Sequence, residues 1–140
     1  MGMRRNPLPP DMKFEHFGLN VSDPRAMAQW YVDHLGFTIV RSGNEAPYVR
    51  FLADETGRVV VEFYANPAAV TPGYAAQHPL VLHLAVWSSD VQADRARLEK
   101  AGATLFSEDV LADGSKLVML RDPWGLALQL CQRAKPFAGF

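Results

Sequence analysis

"FEHFGLNVSD", residues 14–23, decides how the chain is read, because "VLHLAVWSSD" at 81–90 has the same outline. Each stretch carries a histidine in a run of alternating character and ends in Ser-Asp. Alternation with a period of two is the mark of a strand, since successive side chains point to opposite faces. A helical pattern follows each stretch. After the first, Ser22 can cap and Pro24 suits a first turn. Met27, Trp30, Tyr31 and Leu35 then recur at helical spacing until Gly36. After the second, Ser89 or Asp90 can cap, Val91, Leu98 and Ala101 share a face, and Gly102 ends the run.

Three short strand-like runs continue each half. They are "FTIVRS", "YVRFLADE" and "RVVVEFYA" in the first, and "ATLFSEDV", "SKLVMLRD" and "LALQLCQ" in the second. Gly43-Asn44, Thr56-Gly57, Asp113-Gly114 and Pro123-Trp124-Gly125 supply the turn signals between them. The chain therefore reads as two βαβββ modules, 14–66 and 80–132, joined by a Pro-, Ala- and Gly-rich linker at 67–79. The expected class is α+β, with 1–140 as a single domain.

Bulk properties narrow the function. The chain has 140 residues, enough for one core without covalent staples. Its 49% hydrophobic and 21% charged content is that of an ordinary globular protein. A net charge of -1 argues against nucleic acid or an anionic membrane as partner. Cys131 is the one cysteine, which fits a reducing compartment. The opening "MGMRRNPLPPDM" has no apolar run behind its arginines, unlike a secretory signal. Asn6 breaks the myristoylation pattern. A cytoplasmic location is expected.

Glu62 sits in "VVVEFYAN" (59–66), among residues suited to a half-buried sheet, and a carboxylate there needs a cation, a metal or a proton. The repeat supplies candidates. His16 lies 46 positions before Glu62, and His83 lies 46 positions before Gln129. By parity His16, Glu62, His83 and Gln129 all fall on the face opposite the apolar one of their strands. Two imidazoles, a carboxylate and an amide oxygen form a borderline donor set suited to Zn, Ni, Co, Fe or Mn. The two histidines and Glu62 also have the donor types of a non-haem Fe(II) facial triad. The plainer alternative is a pair of core histidines and a Glu62–Arg50 ion pair. His34 and His78 have no counterpart in the repeat and read as surface residues. Cys131 reads as a buried strand thiol.

"HFGLNVSD", "WYVDHLGF", "VVVEFYAN", "HLAVWSSD" and "DPWGLALQL", in this order, resemble the vicinal oxygen chelate superfamily of glyoxalase I, bleomycin-resistance proteins and extradiol dioxygenases. The resemblance covers about residues 14–132. It implies a U-shaped, barrel-like cup of mixed sheet with helices outside, built around a divalent metal. It also implies that His16, Glu62, His83 and Gln129 are the metal ligands. A homodimer with shared sites is implied as well, His16 and Glu62 coming from one chain, His83 and Gln129 from the other. Glyoxalase I usually has a glutamate where this chain has Gln129, and an amide cannot take a proton at neutral pH. Its glutathione-holding arginine is replaced by Asn20, whereas Asn66 matches a glutathione-contacting position.

Three functions compete on this reading. The first is a metal-dependent lyase or isomerase acting on a small substrate with vicinal oxygens. Glu62, the one carboxylate of the set, would be its catalytic base, and Tyr64, Trp87 and Trp124 would wall the pocket. The second is an Fe(II) extradiol-type dioxygenase. The third is a bleomycin-resistance-like binding protein without turnover. Loops around 41–50 and 106–116 are expected to shape the cavity.

Overall fold

Both sequence modules fold as βαβββ units in the computed structural model, which describes residues 11–140. The opening segment 1–10, read above as neither a secretory signal nor a myristoylation site, lies outside the described residues. In the first module β1 (Phe17–Asn20) leads into α1 (Pro24–Leu35), then β2 (Thr38–Ser42), β3 (Arg50–Ala53) and β4 (Val59–Tyr64). In the second, β5 (Leu84–Trp87) leads into α2 (Val91–Lys100), then β6 (Thr104–Val110), β7 (Lys116–Arg121) and β8 (Ala127–Gln132). Each module makes a four-stranded mixed sheet, in the orders β1-β4-β3-β2 and β5-β8-β7-β6. The first strand of each lies parallel to the last, and the other pairings are antiparallel. The class is α+β.

One face of each sheet is greasy and carries the module's helix. Leu19, Leu52, Val61 and Phe63 are buried in the first module with Met27, Ala28 and Tyr31 of α1, and the Tyr31 and Phe63 rings meet at 5.5 Å. Met27 and Tyr31 stand one turn apart, as the helical spacing requires. In the second module Val118, Leu120, Leu128 and Leu130 are buried with Val91 and Leu98 of α2. Both helices start on an aspartate. Asp23 accepts from Ala26 N at 3.2 Å and Asp90 from Ala93 N at 3.1 Å. Ser22 is thus not the cap expected of it: Pro24 occupies the first helical position, which makes Asp23 the capping residue.

The chain divides into two units, Met1–Thr71 and Pro72–Phe140, with the boundary inside the expected linker. The second half of that linker is not slack. Tyr74–Ala76 forms a 3-10 turn with Tyr74 buried, and Arg121 donates to Tyr74 O at 3.0 Å and Gln77 O at 2.8 Å. Among the described residues no helix is long and apolar enough to cross a membrane.

Candidate functional site

Neither histidine stands inside a ladder. His16 immediately precedes β1 and His83 immediately precedes β5. The register nevertheless repeats. Gly18 pairs with Glu62, Glu62 with Phe51, and Phe51 with Arg41, giving one row across the first sheet. Ala85, Gln129, Met119 and Ser107 form the matching row in the second. Each histidine precedes the first member of its row by two residues, and the His16 ring lies on the Glu62 face. The equal sequence interval is therefore a shared strand register. Both rows also depend on a bulge, between Ile39 and Arg41 and between Leu105 and Ser107. One extra residue, Val40 or Phe106, turns the next side chain onto the other face. The strand-like runs "FTIVRS" and "ATLFSEDV" form β2 and β6, so of the regions around 41–50 and 106–116 expected to shape a cavity, residues 41–42 and 106–110 are strand.

In the first unit the fold brings His16 and Glu62 together, with Nε2 and Oε1 3.4 Å apart. The opposite ring nitrogen, Nδ1, lies 2.8 Å from Oε1 of Glu15. A carboxylate oxygen accepts, so Nδ1 carries the proton and a neutral ring turns the lone pair of Nε2 toward Glu62. Two lone pairs facing each other need a proton or a cation between them. The separation exceeds the 2.7–2.9 Å or so of a charge-assisted hydrogen bond. It is about the edge of a tetrahedron of donors each about 2.1 Å from a common ion. Glu62 does not pair with Arg50, whose guanidinium donates to the carbonyls of Gly43 at 2.7 Å and Val49 at 2.9 Å.

His83, in the second unit, shares one feature with His16, an oxygen on Nδ1. Its Nδ1 lies 2.9 Å from Pro79 O, which can only accept, and Nε2 is left for another partner. An outer oxygen that fixes the tautomer is the usual support of a metal-binding histidine. Gln129 Oε1 accepts from Cys131 Sγ at 3.4 Å and keeps a second lone pair. Burial pushes the Cys131 thiol up, with Arg133 opposing, so it stays protonated and is a poor ligand. These donors fit a divalent ion chemically. Among the described residues no three His, Cys, Asp or Glu side chains gather into a cluster able to hold one.

Surrounding positions sharpen the picture. Gly18 lies under this face: a Cβ there would meet Tyr64 Cε1 at 3.2 Å and Glu62 Oε1 at 3.6 Å. Tyr64 thus stands beside Glu62, and Trp87 is 48% exposed on β5, while Trp124 belongs to the turn between β7 and β8. Asn20 and Asn66 bind each other: Asn20 Oδ1 accepts from Asn66 N at 2.8 Å, and its Nδ2 donates to Asn66 O at 3.2 Å and Ala69 O at 2.9 Å. Both positions compared above with glutathione contacts are engaged in shaping a loop. A depression of about 660 Å³, lined by Asp11, Lys13, Phe14, Glu15, Arg58 and Val59, touches the candidate set only through Glu15. Its lining comes from two distant segments of irregular sequence, and no motif announces it. His34 packs on Trp30 at 5.3 Å and His78 against Phe106 at 5.3 Å, both away from the rows.

A family model described as the Glyoxalase/Bleomycin resistance protein/Dioxygenase superfamily matches residues 13–130. The chain belongs to that superfamily. Among solved structures it is similar to TnmS3, an antibiotic binding protein from Streptomyces sp. CB03234. The identity is 22% over 91% of this chain and 100% of that one, with a TM-score of 0.69. It is also similar to lactoylglutathione lyase from Agrobacterium tumefaciens, at 18% identity over 88% and 95% of the two chains, TM-score 0.63. A glyoxalase family protein from Enterococcus faecalis has 23% identity over 86% and 98%, TM-score 0.65. Identities this low carry the superfamily fold and no particular activity. Among curated protein sequences nothing matches.

Proposed function

We propose that this superfamily member is a divalent-metal-dependent enzyme of the glyoxalase type, acting on a small substrate with vicinal oxygens by proton transfer in lyase or isomerase chemistry. His16, Glu62, His83 and Gln129 would hold the ion, whether Zn, Ni, Co, Fe or Mn. When bound, the ion supplies Lewis-acid polarisation of a carbonyl or enolate oxygen. The observation that supports this reading is the duplicated half-site. In both modules a histidine precedes its row by two residues and has Nδ1 engaged by an oxygen, and Glu62 or Gln129 occupies the paired strand position.

Glu62 is the base, taking a proton from the carbon alpha to the substrate carbonyl. Gln129 takes no proton and serves as a neutral donor. Tyr64 and Trp87 limit water around the reacting carbon. Two half-sites joined across a homodimer, each chain giving one pair, complete the set. The protein works in the cytoplasm on a small molecule, with no nucleic acid or membrane partner. Were the ion Fe(II), His16, His83 and Glu62 would form the triad of an extradiol-type dioxygenase.

The second reading is a non-catalytic small-molecule binder, favoured by the likeness to an antibiotic binding protein. Melting curves of chelator-treated protein with added Zn, Ni, Co, Mn or, anaerobically, Fe(II) decide between them, because an ion bound only by the native state raises the melting temperature. The enzyme reading expects a rise that His83→Ala removes, and Glu62→Gln that still binds metal but turns over ~10²–10⁴-fold more slowly. No response to any ion in the wild type would leave the binder reading. Oxygen uptake with catechols singles out the dioxygenase.

A further inference from the structure

We propose that Arg41 selects substrates bearing an anionic group, so that the small molecule carries a carboxylate about one aromatic ring away from its vicinal oxygens. This inference deepens the metal-site reading above and rests on it. Its basis lies within the first unit. Without the bulge at Val40, Arg41 would share the helix-covered face with Ile39, which pairs with Leu52. The extra residue turns Arg41 onto the face of Phe51 and Glu62.

Ring contacts show the same face from the side chains. The His16 ring meets Phe51 edge-on at 5.3 Å, and the Arg41 guanidinium carbon lies 5.9 Å from the centre of Phe51. A half-buried aromatic floor thus separates the metal-type pair from an exposed cation, with the backbones of Glu62 and Arg41 roughly 10 Å apart, two strand spacings. Arg41 makes no ion pair among the described residues. The neighbouring arginines are committed elsewhere: Arg50 to loop carbonyls and Arg25 to the face of Tyr48 at 4.2 Å. A guanidinium fork suits a carboxylate through paired charge-assisted hydrogen bonds. The matching residue of the second sheet is Ser107, which has no charge.

The probes are 3,4-dihydroxybenzoate and catechol, which share vicinal oxygens and an aromatic ring and differ by the carboxylate. Calorimetric titration of the full chain with Zn(II) present should show the carboxylate probe binding about tenfold more tightly than catechol. Arg41→Gln should erase that preference while leaving catechol affinity unchanged, and Arg41→Lys should keep part of it. Equal binding of both probes by the wild type, binding of neither, or a preference that survives Arg41→Gln would overturn the proposal. His16→Ala separates the two readings. Loss of both probes in that variant supports the metal pair, whereas unchanged affinities there would sink the metal reading, and the Arg41→Gln result would still judge the anion contact by itself.

Discussion

At the scale of single residues, the half-buried Glu62 of "VVVEFYAN" finds its partner in His16, 46 positions earlier, rather than in the nearer Arg50. The register decides this, because pairing Phe51 with Glu62 sets Arg50 on the opposite face of the sheet. Gly18 is a second residue whose role follows from its neighbours. With no side chain of its own it leaves room between Tyr64 and Glu62, and its backbone is not in the left-handed region. Gly18→Val should therefore fold, by circular dichroism, yet lose metal-dependent stabilisation at least tenfold in ion affinity as the added methyls crowd Glu62. A variant with undiminished ion binding would show that this face is not the site. Cys131 gives a pH test. Its pKa is raised in the folded chain by burial, so its stabilising contribution is complete below the unfolded pKa and fades as pH rises toward the folded one. Iodoacetamide should label native protein slowly at pH 8 and urea-unfolded protein quickly, and melting temperature should fall on the alkaline side less steeply in Cys131→Ala.

Among the elements, the D-P-x-G turn between β7 and β8 shows why a short motif can be structural. Asp122 is buried and its Oδ1 accepts from Trp124 N at 2.9 Å and Leu126 N at 3.0 Å. Gly125 takes φ 89, and a Cβ on it would lie 2.7 Å from Ala75 N, in the 3-10 turn of the linker. The motif aligns β8, and hence Gln129, by closing a turn against that segment. Gly125→Ala should cost about 1–2 kcal/mol for its backbone conformation plus about 1–3 for the clash. Gly114→Ala, at φ 90 with open space around it, should cost only the first part. Urea midpoints of the two variants measure the difference; equal losses would deny the contact with Ala75. The helices and all eight strands lie where periodicity and turn residues put them to within a few positions, while the cap of α1 is Asp23 rather than Ser22. The two bulges did not announce themselves, because "TIVRS" and "TLFSEDV" look continuous and the slip is fixed only by the partner strand.

Taken whole, the chain is two copies of one topology, each with its own sheet and its own helix. Sharing across a homodimer makes a distinctive prediction. Neither His16→Ala nor His83→Ala alone should bind metal tightly, but mixing and refolding the two should restore it. In the mixed dimer one site then has both wild-type histidines. Metal content should rise from near zero toward one ion per mixed dimer, measured by elemental analysis after gel filtration. No recovery would mean that both histidines serve a site within a single chain.

The sequence by itself determined the class, the duplication and the helix faces, because strand alternation and helical spacing are written locally and a repeat doubles every signal. Tertiary structure alone decided the rest: which residues stand side by side across a sheet, that bulges bring Arg41 into the row of Glu62 and Ser107 into that of Gln129, and that oxygens of Glu15 and Pro79 stand at Nδ1 of the two histidines. Register between strands depends on hydrogen bonds to residues far along the chain, and no local pattern of side chains specifies a one-residue slip.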